Sequence, residues 1–328
     1  MTDLSYLSKG KSYTKTGLST NNTYKSKTSA ISLAGNSSDT FGMVALMHLS
    51  KIRIGAAITV TAAFGYMLAT GSFGLDMVLP LIGTLVLATG ASALNQFQEY
   101  EHDAMMARTM DRPIPRGDLS PISVLIFSLL TIVAGLGILS LSSSGWPLVL
   151  GMLNVVAYNV IYTPLKRKTI WAIVPGSLVG ALPPMIGYTA GGGDPFALDI
   201  LYVAMFLFIW QIPHFWILLL KYHEEYRAAG FPVLTDKVSH EQLLLMIFVW
   251  TLALIGLGLI MPVFGMGITL PVFMFNIILS AWLTKKSITF LKQGVKNIEG
   301  KKWFLALNMY VILLVFAVAM ERVVINWL

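Results

Sequence analysis

From about residue 50 to its end, the chain is a succession of apolar runs, each close to 20 residues long. That is the length of helix needed to cross the hydrocarbon core of a bilayer. A membrane barrel would show shorter, alternating segments instead. Inside lipid every backbone group must be paired within its own segment, so the runs must be helices. Nine spans are expected, at about 54–71, 75–94, 121–141, 145–163, 170–190, 197–220, 242–262, 266–284 and 302–320. The expected fold is an all-α integral membrane protein, a nine-transmembrane-helix bundle formed by residues 46–328.

Charge content agrees. Only 12% of the 328 residues are charged, against about 25% in soluble domains. This excludes a soluble enzyme, a disordered protein and a nucleic-acid-binding domain. The absence of cysteine excludes disulfides, thiolate metal sites and cysteine nucleophiles. Residues 1–45 differ from the rest, being rich in Ser, Thr, Asn and Lys. They carry five lysines and no arginine, and lack the apolar core of a signal peptide. A disordered, cationic cytoplasmic tail is expected there.

The basic residues set orientation. Lys51 and Arg53, Arg108 to Arg116, Lys166 to Lys168, Lys221 to Lys237 and Lys285 to Lys302 all fall on one set of loops. The opposite loops carry none, and only Arg322 lies on the far side. The N-terminus is expected inside and the C-terminus outside. Carboxylates, which this sorting does not require, crowd the same inner side after the second and sixth spans.

The first acidic cluster holds Asn95, Glu99 and Asp103 at i, i+4 and i+8, in line on one helical face. Oxygen donors in a row suit Mg²⁺, which binds one or two carboxylates together with substrate phosphates. Arg108 and Arg112 follow with forks suited to phosphate. The competing reading is a charged helix end with internal salt bridges. The second cluster runs from Trp210 through Gln211, Pro213, His214, Phe215 and Trp216 to Lys221, Glu224 and Glu225. Gln211, His214, Lys221 and Glu225 fall near one helical stripe, and Pro213 is expected to kink the helix. Intramembrane polar residues are functional candidates by default; the alternative for His214 is a hydrogen bond to a neighbouring helix. A third stretch repeats Asn154, Tyr158 and Tyr162 every four residues before Pro164, Lys166 and Arg167. Those two cations can close on an anion or simply anchor the span. Gly176 and Gly180 are expected to let helices pack closely.

Several of these runs together resemble the protohaem IX farnesyltransferase (haem O synthase) family of UbiA-type intramembrane prenyltransferases. They are Ala93 to Pro113, Tyr162-Thr-Pro-Leu-Lys-Arg-Lys-Thr169, Gly180-Ala-Leu-Pro-Pro184 and Trp210-Gln-Ile-Pro-His-Phe-Trp216 with Tyr226 and Pro232. The likeness spans helices 2 to 6. It implies a bundle around a central cavity and Mg²⁺-dependent transfer of farnesyl from farnesyl diphosphate to a vinyl group of haem B, with water adding a hydroxyl. It implies metal ligation by Asn95, Glu99 and Asp103, with Glu224 and Glu225 where a second acidic motif belongs. It implies diphosphate binding by Arg108, Arg112, Lys166, Arg167 and Lys221, and places His214 near the porphyrin. Tyr158, Tyr162, Phe215 and Trp216 would wall the haem and prenyl pocket. The family usually has Asp where this chain has Glu99, Glu101 and Glu224-Glu225. The resemblance further implies a bacterial inner membrane, a site near the cytoplasmic face, and haem A synthase or oxidase assembly factors as candidate partners. Two alternatives remain at this stage: prenyl transfer to a quinone precursor or other aromatic acceptor, and a secondary transporter, whose ionisable groups would sit nearer the midplane.

Overall fold

The computed structural model describes residue 49 and residues 51–293 and 300–328. The expected tail, residues 1–45, lies outside the described residues. Among those described there is no strand. Nine long helices follow in order: α1 (Ile52–Thr70), α2 (Val78–Asp103), α3 (Pro121–Leu139), α4 (Trp146–Leu165), α5 (Ile173–Ala190), α6 (Leu198–Ala228), α7 (His240–Ile260), α8 (Leu270–Gln293) and α9 (Gly300–Trp327). Eight of them are long and apolar enough to cross a membrane, which makes this a multi-pass membrane protein. The other is α8, whose apolar stretch is cut short at Lys285 and Lys286.

The starts of these helices follow local chemistry. Ser120 accepts from the Ser123 amide ahead of Pro121, a residue that fits the first helical turn. Ser239 and Gln242 form a reciprocal capping box at α7. The 31 residues of α6 make a rod of about 45 Å, longer than the ~30 Å hydrocarbon core. The acidic end of α6 therefore lies beyond the apolar layer. Pro213 sits inside α6 without breaking it.

α4 departs from regular geometry. Residues Val156–Tyr162 form a π-helical segment, a form found mostly as short bulges and often at functional sites. The segment is tied to α2: the Asn159 amide donates to the Ala91 carbonyl at 3.0 Å, and the Gln98 amide donates to the Asn159 carbonyl at 2.9 Å.

α1 and α5 cross at nearly bare backbone. A Cβ on Gly187 would stand 1.8 Å from the Ala62 carbonyl oxygen, and one on Gly65 1.9 Å from that of Pro184. Only glycine permits this approach. The expectation for Gly176 and Gly180 needs correction. A Cβ at either would meet a side chain, the Tyr162 ring or the Gln211 amide, not a facing backbone. That pair makes room for groups inside the bundle.

The core divides by helices. Phe206, Leu243, Ile247, Leu283, Leu307 and Leu314 belong to one large cluster linking α6 to α9. A smaller cluster, including Leu87, Ile132, Leu150 and Ile186, joins α2 to α5.

Candidate active site

A cavity of about 340 Å³ opens among α1, α2, α4, α5 and α6. Its wall includes Asn95, Glu99 and Asp103, so α2 presents all three on one face as their spacing predicts. Glu99 is 3% exposed and Asp103 1%. Carboxylates this buried need compensation. Arg112 Nη1 lies 2.5 Å from Asp103 Oδ2, and Lys166 Nζ lies 2.7 Å from Glu99 Oε2. Asn95 donates to Thr163 Oγ1 at 3.1 Å and accepts from Lys51 Nζ at 3.3 Å. Cations and carboxylates thus meet at one mouth, and the remainder of the wall is largely apolar: Ile54, Leu87, Val155, Val179, Phe215 and Met106.

Lys51 is the functional residue that sequence reasoning missed, being read only as a loop anchor. It precedes α1 in the left-handed region (φ 43°), an unusual conformation for a lysine. Burial, followed by the nearby Arg112 and Lys166 cations, pulls its ammonium down to about 7. Burial would also lower Lys166, but Tyr162 and the Glu99 carboxylate outweigh it and hold that ammonium above the usual lysine value. No local signal marks Lys51, because its partner is 44 residues away.

Other expected residues are distributed as follows. Arg108, Tyr158, Tyr162 and Phe215 also line the cavity. The Arg108 guanidinium lies over the rings of Tyr222 and Tyr226 and donates to the Tyr226 hydroxyl at 3.2 Å. Tyr158 and Tyr162 stack at 5.9 Å. Trp216 lines a second cavity of about 200 Å³, which shares Tyr162, Lys166, Phe215, Tyr226 and Phe231 with the first. Arg167 is outside both linings and donates to the Gln98 carbonyl. Lys221 is exposed, its ammonium 4.7 Å from the Tyr222 ring. His214 lies outside both linings, hydrogen-bonded through Nδ1 to Asn308 Oδ1 at 3.0 Å.

The second acidic pair stands apart. Glu224 is 74% exposed and pairs with His223 and Arg227. Glu225 accepts from the Arg108 backbone amide at 3.1 Å. Neither lines the cavity. Among the described residues, no three His, Cys, Asp or Glu side chains gather closely enough to hold a metal by themselves. One donor is nonetheless uncommitted: Glu99 Oε1 is buried without a hydrogen-bond partner. An orphaned carboxylate oxygen beside Asn95 fits a divalent cation that takes its remaining ligands from a diphosphate.

Residues 58–312 match the UbiA prenyltransferase family. The chain belongs to that family. It is similar to the protoheme IX farnesyltransferase of Geobacter sulfurreducens, with 37% identity over 66% of this chain and 80% of the relative. It is also similar to the protoheme IX farnesyltransferase of Opitutus terrae, with 30% identity over 84% of this chain and 94% of the relative. A solved UbiA homologue from Archaeoglobus fulgidus, bound to DMAPP and Mg²⁺, has the same fold. It superposes with a TM-score of 0.67 at 11% identity, covering 85% of this chain and 98% of that one. Membership of the UbiA family identifies the chain as a prenyltransferase.

Proposed function

We propose that this UbiA-family enzyme transfers the farnesyl group of farnesyl diphosphate to a vinyl group of haem B with addition of water, giving haem O and diphosphate for haem A/O-type terminal oxidases. The observation that carries prenyl transfer is the cavity mouth, where two buried carboxylates and Asn95 meet Lys51, Arg112 and Lys166 above an apolar chamber. Haem as the acceptor rests on the similarity to the two farnesyltransferases.

The residues divide the work by charge. Breaking an allylic C–O bond leaves a carbocation and an anionic diphosphate. Arg108, Arg112, Lys166 and Lys51 face the cavity where that anion develops, the kind of preorganised charge that contributes most to catalysis. Asn95, Glu99 and Asp103 would hold Mg²⁺, which when bound neutralises diphosphate charge. Tyr158, Tyr162 and Phe215 give the cation an aromatic, water-poor wall. The second cavity, with Trp216, Leu219, Ile173 and Pro232 on its wall, suits one edge of a flat lipophilic acceptor. His214 acts on that acceptor through Phe215, against which it packs edge-on at 5.7 Å. The one-sided lysines and arginines support a cytoplasm-facing mouth in a bacterial inner membrane.

The test uses membranes carrying the full chain, given haem B, farnesyl diphosphate and Mg²⁺, with pigments resolved by mass spectrometry. A farnesyl-hydroxyethyl haem is expected. Its absence beside an active control enzyme overturns the assignment.

A further inference from the structure

The proposed reaction makes two opposed demands on one chamber. The farnesyl cation must not meet water before it meets the vinyl group, yet one water must then be added. Bulk water fails the first demand, and a completely dry chamber fails the second. A single held water satisfies both, and a buried water is retained by about three polar partners.

Most polar groups around the chamber are already engaged. Asn95 is held by Thr163 and Lys51, Asp103 by Arg112, and Glu99 by Lys166 through one of its oxygens. Three are not, and they come from three different helices. Gln211 of α6 makes no hydrogen bond among the described residues, although it lines the chamber. Asn154 of α4 lines it too, and its Oδ1 is buried without a partner. Ser92 of α2, three residues before Asn95 and 6% exposed, is likewise unengaged. The position of Gln211 is also built. Its amide occupies the space opposite Gly180, where a Cβ would stand 1.5 Å from Nε2. Leaving polar groups unpaired in an apolar interior is costly, so their shared orientation toward the chamber calls for a ligand that bonds to them.

We propose that Gln211, aided by Asn154 and Ser92, binds the water molecule that becomes the hydroxyl of the product. This rests on the function proposed above. The C–O bond of farnesyl diphosphate breaks and its electron pair leaves with diphosphate. The vinyl π pair forms the new C–C bond to the farnesyl C1, which leaves a cation on the vinyl carbon attached to the ring. The held water gives a lone pair to that carbon, and its proton goes to the departing diphosphate. If the water is lost, the cation sheds a proton from the adjacent CH₂ instead. The product is then a farnesylated alkene, lighter by one water.

The experiment is the same membrane assay, with both haem products quantified by mass and diphosphate release measured in parallel. Gln211→Leu is expected to raise the ratio of alkene to hydroxylated product about tenfold, the scale of one lost hydrogen bond to a reacting group. Gly180→Ala should shift the ratio the same way by displacing the flexible end of Gln211. Gln211→Glu, which keeps an acceptor oxygen, should restore the hydroxylated product. An unchanged ratio in both Gln211→Leu and Gly180→Ala overturns the proposal. So does loss of all farnesylated haem in variants that still bind farnesyl diphosphate, because the C–C bond precedes the need for water. Gln211→Met, closer in shape, supplies the same readout if the leucine variant does not fold. Absence of any farnesylated haem from the wild type is a different result: it overturns the function itself.

Discussion

The ends of α2 and α6 are written in similar residues but occupy different environments. Each carries carboxylates, nearby basic side chains and an aromatic residue. At the end of α2, Glu99 and Asp103 are almost completely buried, each holds one cation, and both face the cavity. At the end of α6, Glu224 is in solvent and Glu225 holds a neighbouring loop by its backbone. A charge counts for more in the first setting, because water no longer screens it and an unpaired partner is expensive. Motif composition therefore ranks these sites equally, while burial ranks the α2 end far above.

The sharpest way to break that ranking is to remove a group at the α2 end. Arg112→Ala and Asn95→Ala should each lower farnesyl-haem yield by at least about 100-fold, with membrane insertion unchanged by fractionation. Wild-type turnover in either would make the α2 end merely structural. Chelation of divalent cations should stop product formation, and added Mg²⁺ should restore it; activity indifferent to chelator would remove the metal role of Asn95, Glu99 and Asp103. Lys166→Ala leaves Glu99 buried without its cation and should destabilise the protein by about 3–5 kcal/mol. Thermal unfolding in detergent reads this, and adding Glu99→Gln should recover most of the loss. At the α6 end the effects shrink. Glu225→Gln weakens one hydrogen bond to the Arg108 loop and should raise KM for farnesyl diphosphate by about two- to tenfold, with kcat nearly kept. Glu224→Gln should change turnover by less than about twofold. A collapse of activity there would mean that the α6 end joins the cavity during catalysis and that the contrast is false.

The legible parts of the sequence were those governed by short-range periodicity. Nine apolar runs appear as nine helices, because run length and the backbone's need for partners leave little choice. Asn95, Glu99 and Asp103 share a face because four residues are nearly one turn. The stripe on α6 held less well, as Gln211 faces the cavity while His214 turns to α9. Three residues turn a helix by about 300°, leaving the two side chains roughly 60° apart, enough to serve different neighbours on a helix wedged between α5 and α9. What joins distant segments was not legible. Asn308 is 94 residues from His214, and Lys51 is 44 from Asn95. Nor does sequence separate Gly187, which meets a backbone, from Gly180, which shelters an amide.

The π segment of α4 has a consequence for how such a site is inherited. A π turn carries more residues than the α turn it replaces, so Val156–Tyr162 amounts to extra length absorbed inside a continuous span. Deleting one residue there would relax the helix toward ordinary geometry, yet rotate everything after it by about 100°. Lys166 would swing away from Glu99, and Thr163 from Asn95. The loop lengths and the apolar pattern outside the segment would be untouched. Chains that differ by a single gap in this stretch could thus share every span while losing the cation that balances the α2 carboxylates, so the count of residues between Asn154 and Lys166 is itself a heritable part of the site.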